Sequence, residues 1–305
     1  SDISIYRNIY DDLKQVTGGF FVQNRIQLSE RLLLGLGLRF DYRNVDRGDE
    51  FSYKSFSDVS PKINLTFKRD TFSTWNFALS KGFRSPSFSE LFLQYESDYG
   101  LNTQGNPNLE PEQLYGLDIS FDRTNKTNLT YSVSTFYYNY KDMIDFVYGL
   151  PVIALNRSDI SSNGLETNIS YKINPNLNLD LGYTFLRVDD INNVDPILYR
   201  PKHKFISSIK HKSKNISNII SMRYQSKQDY QNFLSDEREY EGSEIKFPIE
   251  QLDSLILFNY IGTYELNNNH KVSLKISNLF DKQYELIQDF PMPGRTISLM
   301  YESTF

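Results

Sequence analysis

Residues 31–43 read RLLLGLGLRFDYR, with Leu32, Leu34, Leu36, Leu38, Phe40 and Tyr42 on one parity and Leu33, Gly35, Gly37, Arg39 and Asp41 on the other. Successive side chains of a strand point to opposite faces, so this alternation predicts a strand with one apolar and one polar side. The pattern returns at 17–28, 57–69, 72–83, 112–123, 127–141, 158–173, 177–189, 201–212, 216–228, 250–265, 270–279 and 293–305. With a partial strand before Gln15, that makes about fourteen strands, each near the length a tilted membrane-spanning strand needs.

The connections alternate short and long. Ser29-Glu30, Asp70-Thr71, Thr124-Asn125-Lys126, Asn174-Pro175-Asn176, Ser213-Lys214-Asn215 and Asn267-Asn268-Asn269 are tight turns of the residue types that favour them. Longer loops fall between, around 44–56, 84–111, 143–157, 190–200, 229–249 and 280–292. In a meander of consecutive hairpins this puts every long loop at one end. Outer-membrane barrels are built that way, with short periplasmic turns and long extracellular loops. Apolar positions such as Leu177, Leu179, Leu181, Tyr183 and Phe185 then face lipid, and Asn178, Asp180, Gly182 and Thr184 face the lumen. Phe40, Tyr42, Phe83, Tyr137, Tyr138 and Tyr140 cluster at the long-loop ends, as an interfacial girdle would, although for any single Tyr strand propensity explains the position as well.

Composition agrees with this reading. The 305 residues have a mean hydropathy of -0.50, and no apolar run is long enough for a spanning helix. A barrel escapes that test, because only every second strand residue needs to be apolar. Aromatics reach 15%, with 22 Tyr and 22 Phe. Cysteine is absent, which removes disulfides and thiolate metal sites. A net charge of -5 gives no basic surface for nucleic acid. The opening SDISIYRN lacks a charged and apolar leader, so no signal peptide is expected at this start.

One connection stands out for length. Lys81 to Glu112 reads KGFRSPSFSELFLQYESDYGLNTQGNPNLEPE, with a loop of about 25 residues, longer than most connections in compact domains. Pro86, Pro107 and Pro111 stiffen its ends. Gly82-Phe83-Arg84-Ser85-Pro86-Ser87, Glu90-Leu91-Phe92 and Gly105-Asn106-Pro107-Asn108-Leu109-Glu110-Pro111-Glu112 resemble the paired boxes of TonB-dependent outer-membrane receptors. Ser277-Asn278-Leu279-Phe280-Asp281-Lys282-Gln283-Tyr284 and Phe290-Pro291-Met292-Pro293-Gly294-Arg295 resemble that family's closing hairpin. The final strand ends on Phe305, similar to the strand read by the outer-membrane assembly machinery.

The resemblance implies an all-β, antiparallel transmembrane β-barrel of about 22 strands with an N-terminal plug in its lumen. Residues 1–305 would be the C-terminal part of that barrel, a single incomplete domain without the plug or a TonB box. It implies uptake of a scarce nutrient, a ferric siderophore or cobalamin-like ligand, energised by the TonB-ExbB-ExbD complex through the plug. No reaction is catalysed and no cofactor is expected. The partners implied are outer-membrane lipid and lipopolysaccharide, the plug and remaining strands, and the assembly machinery. A self-contained passive channel of about fourteen strands is the alternative from another class. Haem and glycan receptors of the same superfamily are further alternatives.

The candidate docking residues lie in the long loops. Arg84, Tyr95, Tyr99, Asn102 and Gln104 offer cationic, amphipathic and amide groups to a bulky polar ligand, and Phe146, Tyr148, Tyr230 and Phe233 extend the rim. Taken singly, each of these aromatics also reads as an ordinary loop residue. The loop contains no His, the three being His203, His211 and His270, which counts against haem ligated from here. Asp236, Glu237, Glu239, Glu241 and Glu244 lack calcium-loop spacing and read as a solvated acidic loop. Lys202-His203-Lys204 sits at a strand end, within reach of lipopolysaccharide phosphates, although a plain charged strand end explains it as well. His203 beside Asp189 and Asp190 is the one enzyme-like constellation, and it has no nucleophile motif.

Overall fold

The computed structural model describes residues 14–46, 53–95, 102–124, 128–147, 151–156, 159–191, 197–237, 239–241 and 244–304. The expected partial strand before Gln15 and the terminal Phe305 lie outside them. Thirteen long strands form one sheet, numbered here in chain order. They are β1 (Lys14–Ser29), β2 (Leu32–Asp46), β3 (Tyr53–Asp70), β4 (Ser73–Arg84), β5 (Glu112–Thr124), β6 (Leu129–Lys141) and β7 (Ile160–Asn174). There follow β8 (Leu177–Asp190), β9 (His203–Ser213), β10 (Ile216–Gln225), β11 (Leu255–Asn267), β12 (His270–Ser277) and β13 (Thr296–Ser303). Every neighbour is antiparallel and consecutive, a pure meander, with β1 and β13 as the two edges. Among the described residues the sheet does not close on itself, so β1 and β13 each keep one unpaired edge.

Local chemistry sets the short turns. The side chains of Asp70, Asn174 and Asn267 each accept a bond from the backbone N–H two residues on, at 2.7, 2.9 and 2.9 Å. These Asx turns recur beside a register shift in each hairpin, and they close it with polar residues. Lys214 closes the β9–β10 turn with φ 45°.

The register confirms the two faces. Leu34, Leu65, Phe77, Ile119, Thr135, Leu165 and Phe185 stand side by side across seven strands on the outer face. On the inner face Thr66, Asn76 and Ser120 are linked by hydrogen bonds of 3.0 and 3.2 Å. Farther round, Asp180 accepts from Lys210 at 2.9 Å and from Asn178 at 2.9 Å. A concave cavity of about 540 Å³, including Asp122, Asp180, Ser208 and Asn259, opens on this polar face. Trp75, Phe121 and Tyr131 meet at tilted angles on the outer face near the short turns, with centroids 4.7 and 5.9 Å apart.

The structure corrects several expectations. Phe83 does not belong to a lipid girdle: it packs against a buried cluster containing Val45, Phe56 and Leu91. Pairing of β3 with β4 stops at Lys62–Ser80, so the end of β4 leaves its neighbour and turns toward the loops. Tyr138 also faces inward, donating from its hydroxyl to Asp118 at 2.5 Å, whereas Tyr137 is exposed on the outer face. The strand expected over 250–265 divides, because Ile249–Leu252 pairs with Gln228–Gln231 as a separate hairpin.

Candidate ligand-docking surface

The long loop after Arg84 is a folded unit. Ser85 and Pro86 lead into a short helix, α1 (Phe88–Phe92), whose N-cap is Ser87. The Glu90 N–H donates to the Ser87 hydroxyl at 3.3 Å, and the Ser87 N–H donates to the Glu90 carboxylate at 2.6 Å. This capping box is legible in sequence as Ser-x-x-Glu. Leu91 and Phe92 are thereby driven inward, where Leu109, Ile144, Ala154, Val45 and Phe56 bury them. Phe88 and Phe146 pack on the margin of the same cluster.

Arg84 fastens the base. Its guanidinium donates to Glu112 through Nε and Nη2 at 2.5 Å each, and to Glu90 at 3.0 Å. Burial pushes the Glu90 carboxyl up, but Arg84 and the Ser87 N–H and hydroxyl outweigh it and hold it below its ordinary value. The chain then returns so closely that Gly105 N–H donates to Leu93 C=O at 2.6 Å and Asn106 N–H to Glu90 C=O at 2.7 Å. A Cβ on Gly105 would lie 2.5 Å from Phe92 N, so this approach requires glycine.

A second loop completes the unit. Gln94–Tyr95, Thr103–Gln104, Val152–Asn156 and Ile144–Val147 form a four-stranded sheet in that order, with 103–104 and 152–153 parallel. Asn156 joins the two loops through its side chain: it accepts from Glu110 N–H at 2.8 Å and donates to Glu110 C=O at 2.9 Å and Asp142 C=O at 2.7 Å. Nothing in the spacing of Asn156 marks that role.

Seven of the nine candidate docking residues fall among the described residues. Tyr95, Asn102 and Gln104 are each exposed on or beside the small sheet, where Tyr95 pairs with Thr103 and Gln104 with Gln94, so Tyr95 and Gln104 stand on opposite faces. Phe146 is half-buried in the same unit, and Arg84 lies at its base. Tyr230 and Phe233 belong to a different group of loops. Tyr230 is buried, and its hydroxyl donates to Glu250 at 2.6 Å. That bond to a carboxylate pushes its phenol up to about 12. Phe233 is half-exposed and meets Phe247 edge-on at 5.2 Å. These loops are tied in turn to the closing hairpin, where buried Gln228 donates to Leu286 C=O at 2.8 Å. Tyr99 and Tyr148 lie outside the described residues. His203 accepts or donates at Tyr183 Oη, 2.9 Å away, and lies against Phe185. Among the described residues, no group of His, Asp and Glu is arranged to hold a metal ion.

A polar-lumened antiparallel sheet with folded loops at one end and Asx turns at the other defines an outer-membrane β-barrel wall. The family model for "TonB dependent receptor-like, beta-barrel" matches residues 2–279, and the chain belongs to that family, in the outer membrane of a Gram-negative bacterium. It is similar to the "Iron-regulated outer membrane virulence protein" of Vibrio cholerae serotype O1, at 22% identity over 86% of this chain and 40% of that protein. Among solved structures it resembles the "Copper transporter OprC" (TM-score 0.79, 19% identity, 96% of this chain and 49% of that one). It also resembles the siderophore receptor PirA from Acinetobacter baumannii (0.76, 17%, 95% and 46%). The ferric-catecholate import receptor Fiu from E. coli K12 is similar as well (0.74, 15%, 96% and 45%). The chain thus spans less than half the length of each of these proteins.

Proposed function

We propose that this chain forms the wall and part of the extracellular rim of a receptor that takes up a scarce nutrient by TonB-energised transport. The observation that carries the reading is the loop unit itself. It presents Tyr95, Asn102 and Gln104 to solvent on a sheet anchored by a buried core. A rigid platform of amphipathic and amide groups reduces the ordering cost of binding a bulky polar ligand. The relatives, described as iron-regulated, siderophore, ferric-catecholate and copper proteins, favour a metal chelate, foremost a ferric siderophore. In this reading Tyr95, Tyr99, Asn102, Gln104, Phe146, Tyr148 and Phe233 form the docking surface. Arg84 and Tyr230 hold it in shape, since carboxylates already engage their polar groups. A plug supplied by the rest of the protein closes the lumen and couples to the TonB-ExbB-ExbD complex. Phe305 and the last strand serve assembly. No reaction is catalysed.

The test is uptake of radiolabelled ferric chelates by receptor-deficient cells expressing the full-length protein, with and without TonB. Uptake above the empty-vector control that disappears without TonB supports the reading. Equal uptake in both strains would indicate a passive channel, and no uptake of any chelate removes the transport assignment.

A further inference from the structure

The six short connections of the sheet lie together at its periplasmic end. Their chain segments are 28–35, 67–74, 121–131, 171–178, 210–217 and 264–271, about a sixth of the 305 residues. They hold ten of the chain's 33 Lys and Arg but only four of its 38 Asp and Glu, so this rim is basic in a chain of net charge -5. Each of the six segments carries at least one Lys or Arg. The four acids are Glu30, Asp70, Asp122 and Glu265.

The excess is not consumed within the protein. Lys210 meets Asp180 at 2.9 Å, Lys212 meets Glu265 at 3.8 Å and Lys271 meets Glu302 at 2.8 Å. Asp70 acts on Arg123. Adding Asp180 and Glu302, which reach these segments from outside, still leaves ten cations against six anions. Arg31, Lys68, Arg69, Lys172 and Lys214 are exposed and form no ion pair among the described residues. A ring of aromatics fixes the depth of these charges. Phe67, Trp75, Phe121, Tyr131, Tyr171 and Tyr264 share the outward parity of their strands at this end of the sheet. Aromatic side chains on a membrane-facing wall settle at the level of the headgroups. Lys68, Arg123 and Lys172 follow Phe67, Phe121 and Tyr171 by one or two residues toward the turns, about 3–7 Å along a strand. That is the depth of the lipid phosphates.

We infer that this rim is a docking surface for the headgroups of anionic phospholipids in the periplasmic leaflet, with the exposed Lys and Arg of successive turns taking the phosphates. The surplus of cations sets the sign of the partner, and guanidinium groups suit phosphate oxygens. The aromatic ring beside them favours a lipid over a soluble protein. Arg69 and Arg123 are the cations nearest Trp75: Arg123 stands opposite Ser73 in register, and Arg69 closes the same hairpin end. The inference concerns the membrane and not the cargo, so its failure would leave the uptake reading untouched.

Trp75 is the one tryptophan of this chain and sits in the ring, so its fluorescence reports on the lipid beside the rim. Full-length protein is reconstituted in phosphatidylcholine vesicles containing either brominated phosphatidylglycerol or brominated phosphatidylcholine. The Trp75 signal is the difference between the protein and its Trp75→Phe variant. The wild type is expected to favour the anionic lipid about 5-fold at low salt, the scale of one basic residue at a charged surface, and to lose that preference as salt rises. Arg69→Gln combined with Arg123→Gln should bring the two lipids near parity. Arg187→Gln, at the other end of β8, should leave the preference unchanged. Mobility on unheated gels checks that each variant is folded, and the salt dependence of the wild type is read without any variant. Equal quenching by both lipids in the wild type, or a preference that survives the double substitution, overturns the inference. Salt-sensitive retention of the wild type on isolated peptidoglycan, without any lipid preference, overturns it too, in favour of a cell-wall partner.

Discussion

Gly105 and Phe92 approach so closely that a single methyl on the glycine would lie 2.5 Å from the Phe92 amide nitrogen. The contact locks the return of the long loop onto α1, and the first prediction concerns it. Gly105→Ala should undock the loop at a cost of about 1–3 kcal/mol, the usual range for overpacking. Limited proteolysis of intact cells should then cut within 85–111, while the barrel keeps its folded mobility on unheated gels. Unaltered protease resistance would show that the backbone relaxes around the new methyl.

Arg84 is 45% exposed, so its bridges to Glu90 and Glu112 count for less than their short distances suggest. Arg84→Gln should loosen the loop base by about 1 kcal/mol. The pH dependence follows from Glu90. Its folded value is held below the ordinary one, so its contribution to loop docking is present above the ordinary carboxylate range. That contribution is lost as pH falls through the depressed value. Protection of the Leu91 and Leu93 amides against hydrogen exchange, relative to the intrinsic rate at each pH, should fall toward acid pH in the wild type. In Arg84→Gln the loss of protection should begin at a higher pH.

Deleting residues 95–104 would remove Thr103 and Gln104 from the small sheet, together with the Asn102 carbonyl that accepts from Val152 N–H at 2.7 Å. Point substitutions separate ligand contact from scaffold. Tyr95→Ala should weaken binding of the cognate chelate about 10-fold, as expected when an aromatic contact residue is truncated, and leave protease resistance unchanged. Tyr230→Phe should leave affinity near wild type, because the Tyr230 hydroxyl is committed to Glu250. Isothermal or fluorescence titration of both variants checks the pair.

Gly164 supports assembly. A Cβ there would sit 2.4 Å from the Phe185 carbonyl oxygen and 2.6 Å from Phe136 Cζ, inside the sheet. Gly164→Val should displace Phe136 or open the β7–β8 pairing, reducing the amount of folded protein in the outer membrane. Immunoblots of heated and unheated membranes read this directly.

The barrel was legible because alternation is written residue by residue. Leu177 to Phe185 predict β8 and both its faces from sequence alone. The platform was not legible. Leu91, Leu109, Ile144 and Ala154 come from separate loops and share no period, so only the fold shows that they meet. Phe83 misled for the opposite reason. It keeps the parity of Trp75, Phe77 and Leu79, but β4 parts from β3 beyond Ser80, and parity no longer reports which side is lipid. The candidate site divides in the same way. Tyr95, Asn102 and Gln104 are exposed on the loop unit, while burial of Tyr230 goes with the pairing of Gln228–Gln231 to Ile249–Leu252, a segment that periodicity merged into β11.

Because the exposed platform is stitched from 94–95, 103–104 and 152–156, its surface is discontinuous along the chain. Peptides copied from either loop alone would fail to reproduce it. Antibodies or phage receptor-binding proteins that recognise this patch should need the folded barrel, and should lose it when Asn156, 46 residues from its partner Glu110, is replaced.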